Sequence, residues 1–379
     1  MSLRGASDGS PGAGRRRLAA VLAPVASMAI ACALAFVGPA PARAQAAAPE
    51  IGFQCTSRQL AWRSLCPDGY LFFYAGESLV DQAWQERDFA RLDALYAAWC
   101  TGAERFPDGR WKLMTYGNAL EKAFGLWNRW VRDFERLGDW RRERPDSAAV
   151  SFAEATYWYA YAWRARGKGV IGSMDKADED LYKDRLARAK AALDSAPATA
   201  EACPAPHALR LTLLTEEGAA EAELQAAFQR AVRAGKQYHS IWLAMARHHE
   251  PGRGGSAEAY ERFAREAAAA TRDFEGMGMY ARLYGLVPRP RDMPASGGAA
   301  AAMPAWEALN AGYADLMQRY PSSIHNLGKY LGVACRSGDS ALYRRLRRQI
   351  EGYEASADMA VPVLSCDRRH GYERPSKGS

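Results

Sequence analysis

Six histidines are the first residues to weigh for chemistry: His207, His239, His248, His249, His325 and His370. None belongs to a His-Glu-x-x-His pair, the pattern that sets two metal ligands and a general base on one helical face. His248-His249-Glu250 holds three donors in a row, but neighbouring helical residues point in different directions, so a solvated helix end is expected instead. The acidic stretch Asp175, Asp178, Glu179, Asp180 lacks the central Gly and terminal Glu of a calcium loop. Its expected role is to favour the positive end of the following helix. Nucleophile-elbow, phosphate-cradling and dinucleotide glycine motifs do not occur, and Gly252–Gly255 has no preceding strand and reads as a connection. The expectation is therefore no metal and no cofactor.

Aromatic and basic residues are the remaining candidates. Nine of eleven Trp (62, 84, 99, 111, 127, 130, 140, 158 and 163) fall within 62–163. Most such rings fill gaps between short helices. The functional alternative is an aromatic and basic surface for a peptide or glycan, with Trp127, Arg129, Trp130, Trp158, Trp163 and Arg166 as its candidate residues. The densest basic run is Arg344, Arg345, Arg347 and Arg348, which reads as a solvated helix face.

The elements that must position these residues are helices. Apolar stripes with helical spacing occur at Tyr260, Phe263, Ala264 and Ala267; at Tyr182, Leu186, Ala189 and Leu193; at Leu224, Phe228 and Ala231; and at Leu342, Leu346 and Ile350. Stop signals include Pro197, Gly235, the 251–255 turn and Gly338-Asp339, with Ser256 and Ser340 expected as caps. The spacing predicts helix pairs over 153–166 with 179–193, 206–218 with 220–234, 240–249 with 256–270, and 325–336 with 340–351. Hairpins of this size cannot bury their apolar faces alone and stack on their neighbours. The predicted fold is all-α: a tetratricopeptide-like α-solenoid of antiparallel helical hairpins. Its divisions are a leader (1–44), a Trp-rich helical region (45–145), the repeat domain (146–355) and a C-terminal tail (356–379).

Ala189-Lys190-Ala191-Ala192-Leu193-Asp194-Ser195-Ala196-Pro197 and Ala227-Phe228-Gln229-Arg230-Ala231-Val232 look like ends of tetratricopeptide second helices. Tyr161–Gly167, Leu186–Ala189, Trp242–Arg247 and Gln318–Pro321 through Cys335–Asp339 resemble a narrower bacterial group, the helical family called domain of unknown function 4034. The resemblance covers about 150–355 and implies a fold without an activity. Scraps similar to lytic transglycosylases also occur: Glu77-Ser78, Leu316-Met317-Gln318 and Asn310-Ala311-Gly312. The last two share one predicted helix, in the wrong order for that family.

The start of the chain gives an address. Arg15, Arg16 and Arg17 precede an apolar run from Leu18 to Val37, and Ala42-Arg43-Ala44 follows, which is the order of a secretory signal peptide cut after Ala44. The run is also long enough to serve as an uncleaved anchor. Five Arg and one Asp leave with the leader, so the formal charge of +7 falls to about +3, without a nucleic-acid footprint. Six cysteines remain, an even number that permits three disulfides in an oxidising compartment. Cys55–Cys66 and Cys335–Cys366 are the expected bridges; whether Cys100 and Cys203 are bonded or are plain buried thiols stays open. Hydrophobic residues at 49% and charged residues at 25% exclude a disordered chain and a multi-span membrane protein. Together these features predict a periplasmic or secreted, non-enzymatic scaffold that takes a protein or peptide partner on a concave helical face, with no stable membrane span after cleavage. A glycan- or peptidoglycan-active envelope enzyme is the alternative.

Overall fold

The computed structural model describes residues 69–125, 128–166, 174–286, 305–351 and 363–373. The expected leader, the Cys55–Cys66 bridge and Trp127 lie outside the described residues. Helices occur in the order α1 (Gly69–Glu86), α2 (Phe89–Cys100), α3 (Leu113–Phe124), α4 (Trp130–Glu143), α5 (Ala148–Arg166), α6 (Lys176–Asp194), α7 (Pro204–Glu217) and α8 (Glu221–Gly235). There follow α9 (His239–His248), α10 (Ala257–Ala270), α11 (Arg272–Glu275), α12 (Gly278–Leu286), α13 (Trp306–Arg319), α14 (Ile324–Ser337), α15 (Ser340–Gln349) and α16 (Val363–His370). Among the described residues there is no β-strand, only an isolated bridge between Arg105 and Trp111. No helix among them is long and apolar enough to cross a membrane.

Local chemistry explains the helix boundaries. Ser256 caps α10, its Oγ accepting from Ala259 N at 3.1 Å, and the stripe Tyr260, Phe263, Ala264, Ala267 is buried. Asp175 caps α6 by accepting from Asp178 N at 2.9 Å, while Asp178 and Glu179 occupy the first turn. Both arrangements satisfy donors that a helix start leaves open and complement its dipole. Pro204 opens α7 where its missing N–H costs nothing, and Gly218 closes it at φ +68°. One expected cap is corrected: Asp339, not Ser340, caps α15, accepting from Leu342 N at 2.9 Å. Asp339 precedes the first helical residue and is the one whose side chain faces the open N–H groups, while Ser340 Oγ meets His370 Nδ1 at 2.9 Å.

Packing is consistent with a helical-hairpin architecture. The most extensive contact joins α5 to α6; α7 packs on both α8 and α9, and α14 on α15. All the described residues belong to one compact unit spanning Ala47–Ser379, so the change in sequence character near residue 145 is not a break in packing. There, α5 packs on α2, α3 and α4, and a ladder of rings ties the first five helices together: Phe89 of α2 stacked on Trp140 of α4 at 5.6 Å, Trp84 of α1 edge-on to Phe124 of α3 at 5.2 Å, and Tyr96 of α2 against Tyr116 of α3 and Phe152 of α5. Trp84, Trp99, Trp111, Trp130 and Trp140 are buried, as gap-filling rings between short helices should be.

Two disulfides staple the described residues. Cys335–Cys366 forms as expected and ties α16 to α14. Cys100 and Cys203 are bonded to each other, joining the end of α2 to the start of α7 across 103 residues. The segment expected as a tail thus contains the docked helix α16. The Arg344–Arg348 run is only partly a solvated face: Arg345 and Arg348 are exposed, but Arg347 is buried with its Nε 3.2 Å from Asp367 Oδ1. Arg344 Nη1 donates to His370 O at 2.9 Å, so two of the four arginines hold α16 in place.

Residues 101–112, between α2 and α3, are fastened to α9, α11, α12 and the end of α13 by a buried polar knot. Glu275 accepts from Arg282 Nε at 2.7 Å, from Tyr320 OH at 3.0 Å, and lies 3.1 Å from His239 Nε2. Arg282 Nη2 also donates to Asp108 O at 2.5 Å, while the Asp108 carboxylate pairs with Arg110 at 2.6 Å. Gly109 makes this approach possible: its φ is +90°, and a Cβ there would lie 2.2 Å from Tyr320 Cζ. Gly109→Ala should therefore cost about 2 kcal/mol through strain at positive φ and displacement of Tyr320. A urea melt with an unchanged midpoint would refute that account.

Candidate functional site

A recess of about 780 Å³ lies where α3, α5, α7, α9, α10 and α12 converge. That volume is within the range of small-ligand and short-peptide sites. Its apolar wall comes from Phe152 and Trp163 on α5, Leu209 on α7, Leu243 on α9 and Tyr260 on α10. Asn118 and Glu121 project from α3, three residues apart and hence on one helix face. Arg247 and Glu250 enter from the end of α9, and Arg253 from the turn that follows.

That turn is held by its glycines. Gly254 adopts φ +91°, and a Cβ on Gly255 would sit 2.2 Å from His249 O. As expected, Gly252–Gly255 is a connection, between α9 and α10, and His248-His249 is a helix end. His248 Nε2 lies 2.7 Å from Glu221 Oε2. Among the described residues no group of three or more His, Cys, Asp or Glu could hold a metal ion.

One side of the recess is braced by Glu216. Its buried carboxylate accepts from Arg253 Nη1 at 2.7 Å, Tyr182 OH at 2.8 Å and Arg166 Nη1 at 3.2 Å. Arg166 also lies over the Trp163 ring at 4.1 Å from its centroid. Three donors from three elements satisfy the carboxylate's lone pairs, so α5, α6 and the α9–α10 turn are fixed against α7. With Arg166 and Arg253 so engaged, neither is a free cation.

The charges that remain available are different ones. Glu121 has no hydrogen bond or ion pair to its side chain among the described residues. More than a third of its surface is open to solvent, yet it sits deep enough that burial raises its carboxyl above the usual range, opposed by Arg247. Burial likewise raises Glu250, against Arg247 and Arg253. Arg247 is open to solvent and is steadied by the Tyr159 hydroxyl. Glu121 and Arg247 thus sense each other electrostatically without closing into an ion pair. Asn118 is half-buried with its amide unengaged among the described residues.

The sequence-derived candidates do not form one surface. Trp130 stacks on Tyr161 at 4.4 Å, and Trp158 meets Phe134 edge-on at 5.3 Å with Arg188 over its ring at 4.9 Å. Arg129, at the start of α4, donates to Gln85 Oε1 at 3.0 Å. These three belong to the α4–α5–α6 side. Trp163, five residues beyond Trp158, is turned by about 140° around α5 and faces the recess with Arg166 beneath it. Trp127 lies outside the described residues. Sequence reasoning missed Asn118 and Glu121 and weighed Glu250 only as a metal donor beside His248 and His249; the three-residue spacing on α3 alone signalled a shared face.

Glu77, the first of the transglycosylase-like scraps, is buried and its Oε2 accepts from Lys122 Nζ at 2.5 Å. Asn310-Ala311-Gly312 and Leu316-Met317-Gln318 do share one helix, α13. Asn310 Oδ1 accepts from Tyr330 OH at 2.5 Å.

No protein-family model, curated protein or solved structure matches the chain.

Proposed function

We propose that this chain is an exported, tetratricopeptide-like solenoid, akin to the domain of unknown function 4034 group, that acts without catalysis as a scaffold or adaptor in the bacterial periplasm or beyond. Its partner is a protein, of which a short segment enters the recess between α3, α5, α7, α9, α10 and α12. One observation carries this reading: an aromatic-walled recess of about 780 Å³ in which Asn118 and Glu121 present polar groups that no neighbour satisfies. Groups of that kind are stable in water and become specific when a ligand supplies the missing partners. Stacked hairpins suit the task, because each adds a helix to a shared inner surface without enlarging any single core. Paired signals for secretion and disulfide formation support the location.

A photo-crosslinking amino acid placed at Asn118 or at Leu243, both in the recess, should yield the same adduct in the native host. The same probe at exposed Arg230 on α8 should yield none. Arg247→Glu should weaken the recess adduct at least several-fold. Equal labelling from Arg230, or no adduct from either recess position, refutes the reading.

A further inference from the structure

The Cys100–Cys203 disulfide is unevenly buried. It lines a second recess, of about 430 Å³, formed by the end of α2, the start of α5 and the turn at residues 198–202 that precedes α7. Cys203 is 3% exposed, whereas Cys100 is only half-buried and shares the recess wall with Ala97, about one helical turn earlier on α2. Ala148, Ala149 and Ala202 add further small side chains to that wall. The Cys335–Cys366 bond offers no such access, since its cysteines are 2% and 3% exposed. The two sulfurs of the first bond also stand at opposite kinds of helix end. Cys100 closes α2, where the negative end of the helix dipole disfavours a thiolate, and Asp93 lines the same recess. Cys203 is the N-cap residue of α7, a helix of 14 residues, and its side chain makes no capping hydrogen bond. Pro204 and Pro206 have no N–H, so the Ala205 amide is the first-turn donor left for a Cys203 thiolate to accept. A thiolate at that end of a helix is stabilised.

We propose that Cys100–Cys203 is a site of thiol–disulfide exchange with a small neutral thiol, in which attack falls on Cys100 and Cys203 is the leaving group. The incoming thiol gives its proton to solvent, and its sulfur forms a bond to Cys100 Sγ. The Cys100–Cys203 bond breaks as this happens, and its electron pair goes to Cys203 Sγ. One disulfide replaces another, so no separate oxidant or reductant takes part. Two features set the direction of the reaction. The half-buried sulfur is the one a nucleophile reaches, and a leaving thiol of lowered pKa departs faster. The product carries the small thiol on Cys100, within a recess that has room for it, and a free Cys203 at the start of α7. Exchange cuts the tie between α2 and α7 and leaves the Cys335–Cys366 staple in place. The site stands independently of the scaffold reading, because it uses a different recess and different chemistry.

The test treats the oxidised, full-length protein with 2-mercaptoethanol under native conditions, caps free thiols with N-ethylmaleimide, and maps the adducts by non-reducing peptide mass spectrometry. Mercaptoethanol on Cys100 with maleimide on Cys203 should outnumber the reverse pattern by about ten-fold. The Cys335–Cys366 bond should open about ten-fold more slowly than Cys100–Cys203. In urea both preferences should vanish, because the fold imposes them. Ala97→Phe places a ring in the recess from an exposed position, and should slow the opening of Cys100–Cys203 several-fold with little change in the circular dichroism melt. Adducts chiefly on Cys203, equal opening of the two bonds, preferences that persist in urea, or an unchanged rate in Ala97→Phe would each overturn the proposal. So would a Cys100–Cys203 bond that stays closed until the protein unfolds.

Discussion

Glu275→Ala should lower the unfolding free energy by about 3–5 kcal/mol, the usual cost of removing one partner from a buried ion pair. Glu275 is fully buried, and Arg282 and His239 are each less than a tenth exposed. Truncation would leave the Arg282 guanidinium in the interior without its carboxylate, and would strand the Tyr320 hydroxyl, which burial pushes up to about 12. The knot also predicts acid lability. Burial alone would raise the Glu275 carboxyl, but Arg282 and His239 outweigh it and hold it well below the ordinary carboxylate range. Burial of Asp108 is likewise outweighed by Arg110, His325 and Arg282. A carboxyl depressed in the folded state stabilises the fold above its unfolded value, and that contribution disappears as pH falls through the folded one. His239 adds an earlier loss: burial, reinforced by Arg282, lowers its value in the fold. Below about pH 6.5 the unfolded chain therefore binds a proton that the folded chain resists. Urea midpoints should decline gently below pH 6.5 and steeply below about 4.5, and Glu275→Ala should flatten the second decline. A wild-type midpoint constant from pH 7 to 3 would rule this out.

Replacing Cys100 and Cys203 together by Ser should cost about 4 kcal/mol. Their bond spans 103 residues, and a crosslink that closes so long a loop removes much conformational freedom from the unfolded chain. It joins α2 to α7, helices separated in sequence by four others, and so ties the aromatic ladder to one wall of the recess. The matching change at Cys335 and Cys366, across 31 residues, should cost less by about 1 kcal/mol. Denaturant melts of both double variants check the order. Equal midpoints, or a larger loss at the shorter bridge, would contradict it.

The helices were readable in advance because each rests on near-neighbour chemistry. Stripes such as Tyr182, Leu186, Ala189 and Leu193 repeat with the helical period, and Asp175 or Ser256 lies within reach of the amides it caps. Ser340 was misplaced by one residue because Asp339 competes for the same donors. The Arg344–Arg348 run was read as uniformly wet because a single helix cannot reveal which of its faces another element will cover. Likewise, Trp158 and Trp163 looked like parts of one surface until the rotation between them around α5 separated a ring facing α4 from one facing the recess.

By itself the sequence determined the class of fold, all-α, with the four expected helix pairs present to within a few residues and a Cys335–Cys366 bridge, but not the helices α11, α12 and α13 between the third and fourth pairs. Periodicity and capping are local, so one chain read in order suffices. Only the tertiary structure decided that Cys100 meets Cys203, that Asp108 is tied to Glu275 through Arg282, and that Glu121 and Arg247 line one recess. Such meetings join residues a hundred or more positions apart. They depend on how successive hairpins rotate as they pack, and that rotation is summed over many contacts, none of which is visible in any short stretch of sequence.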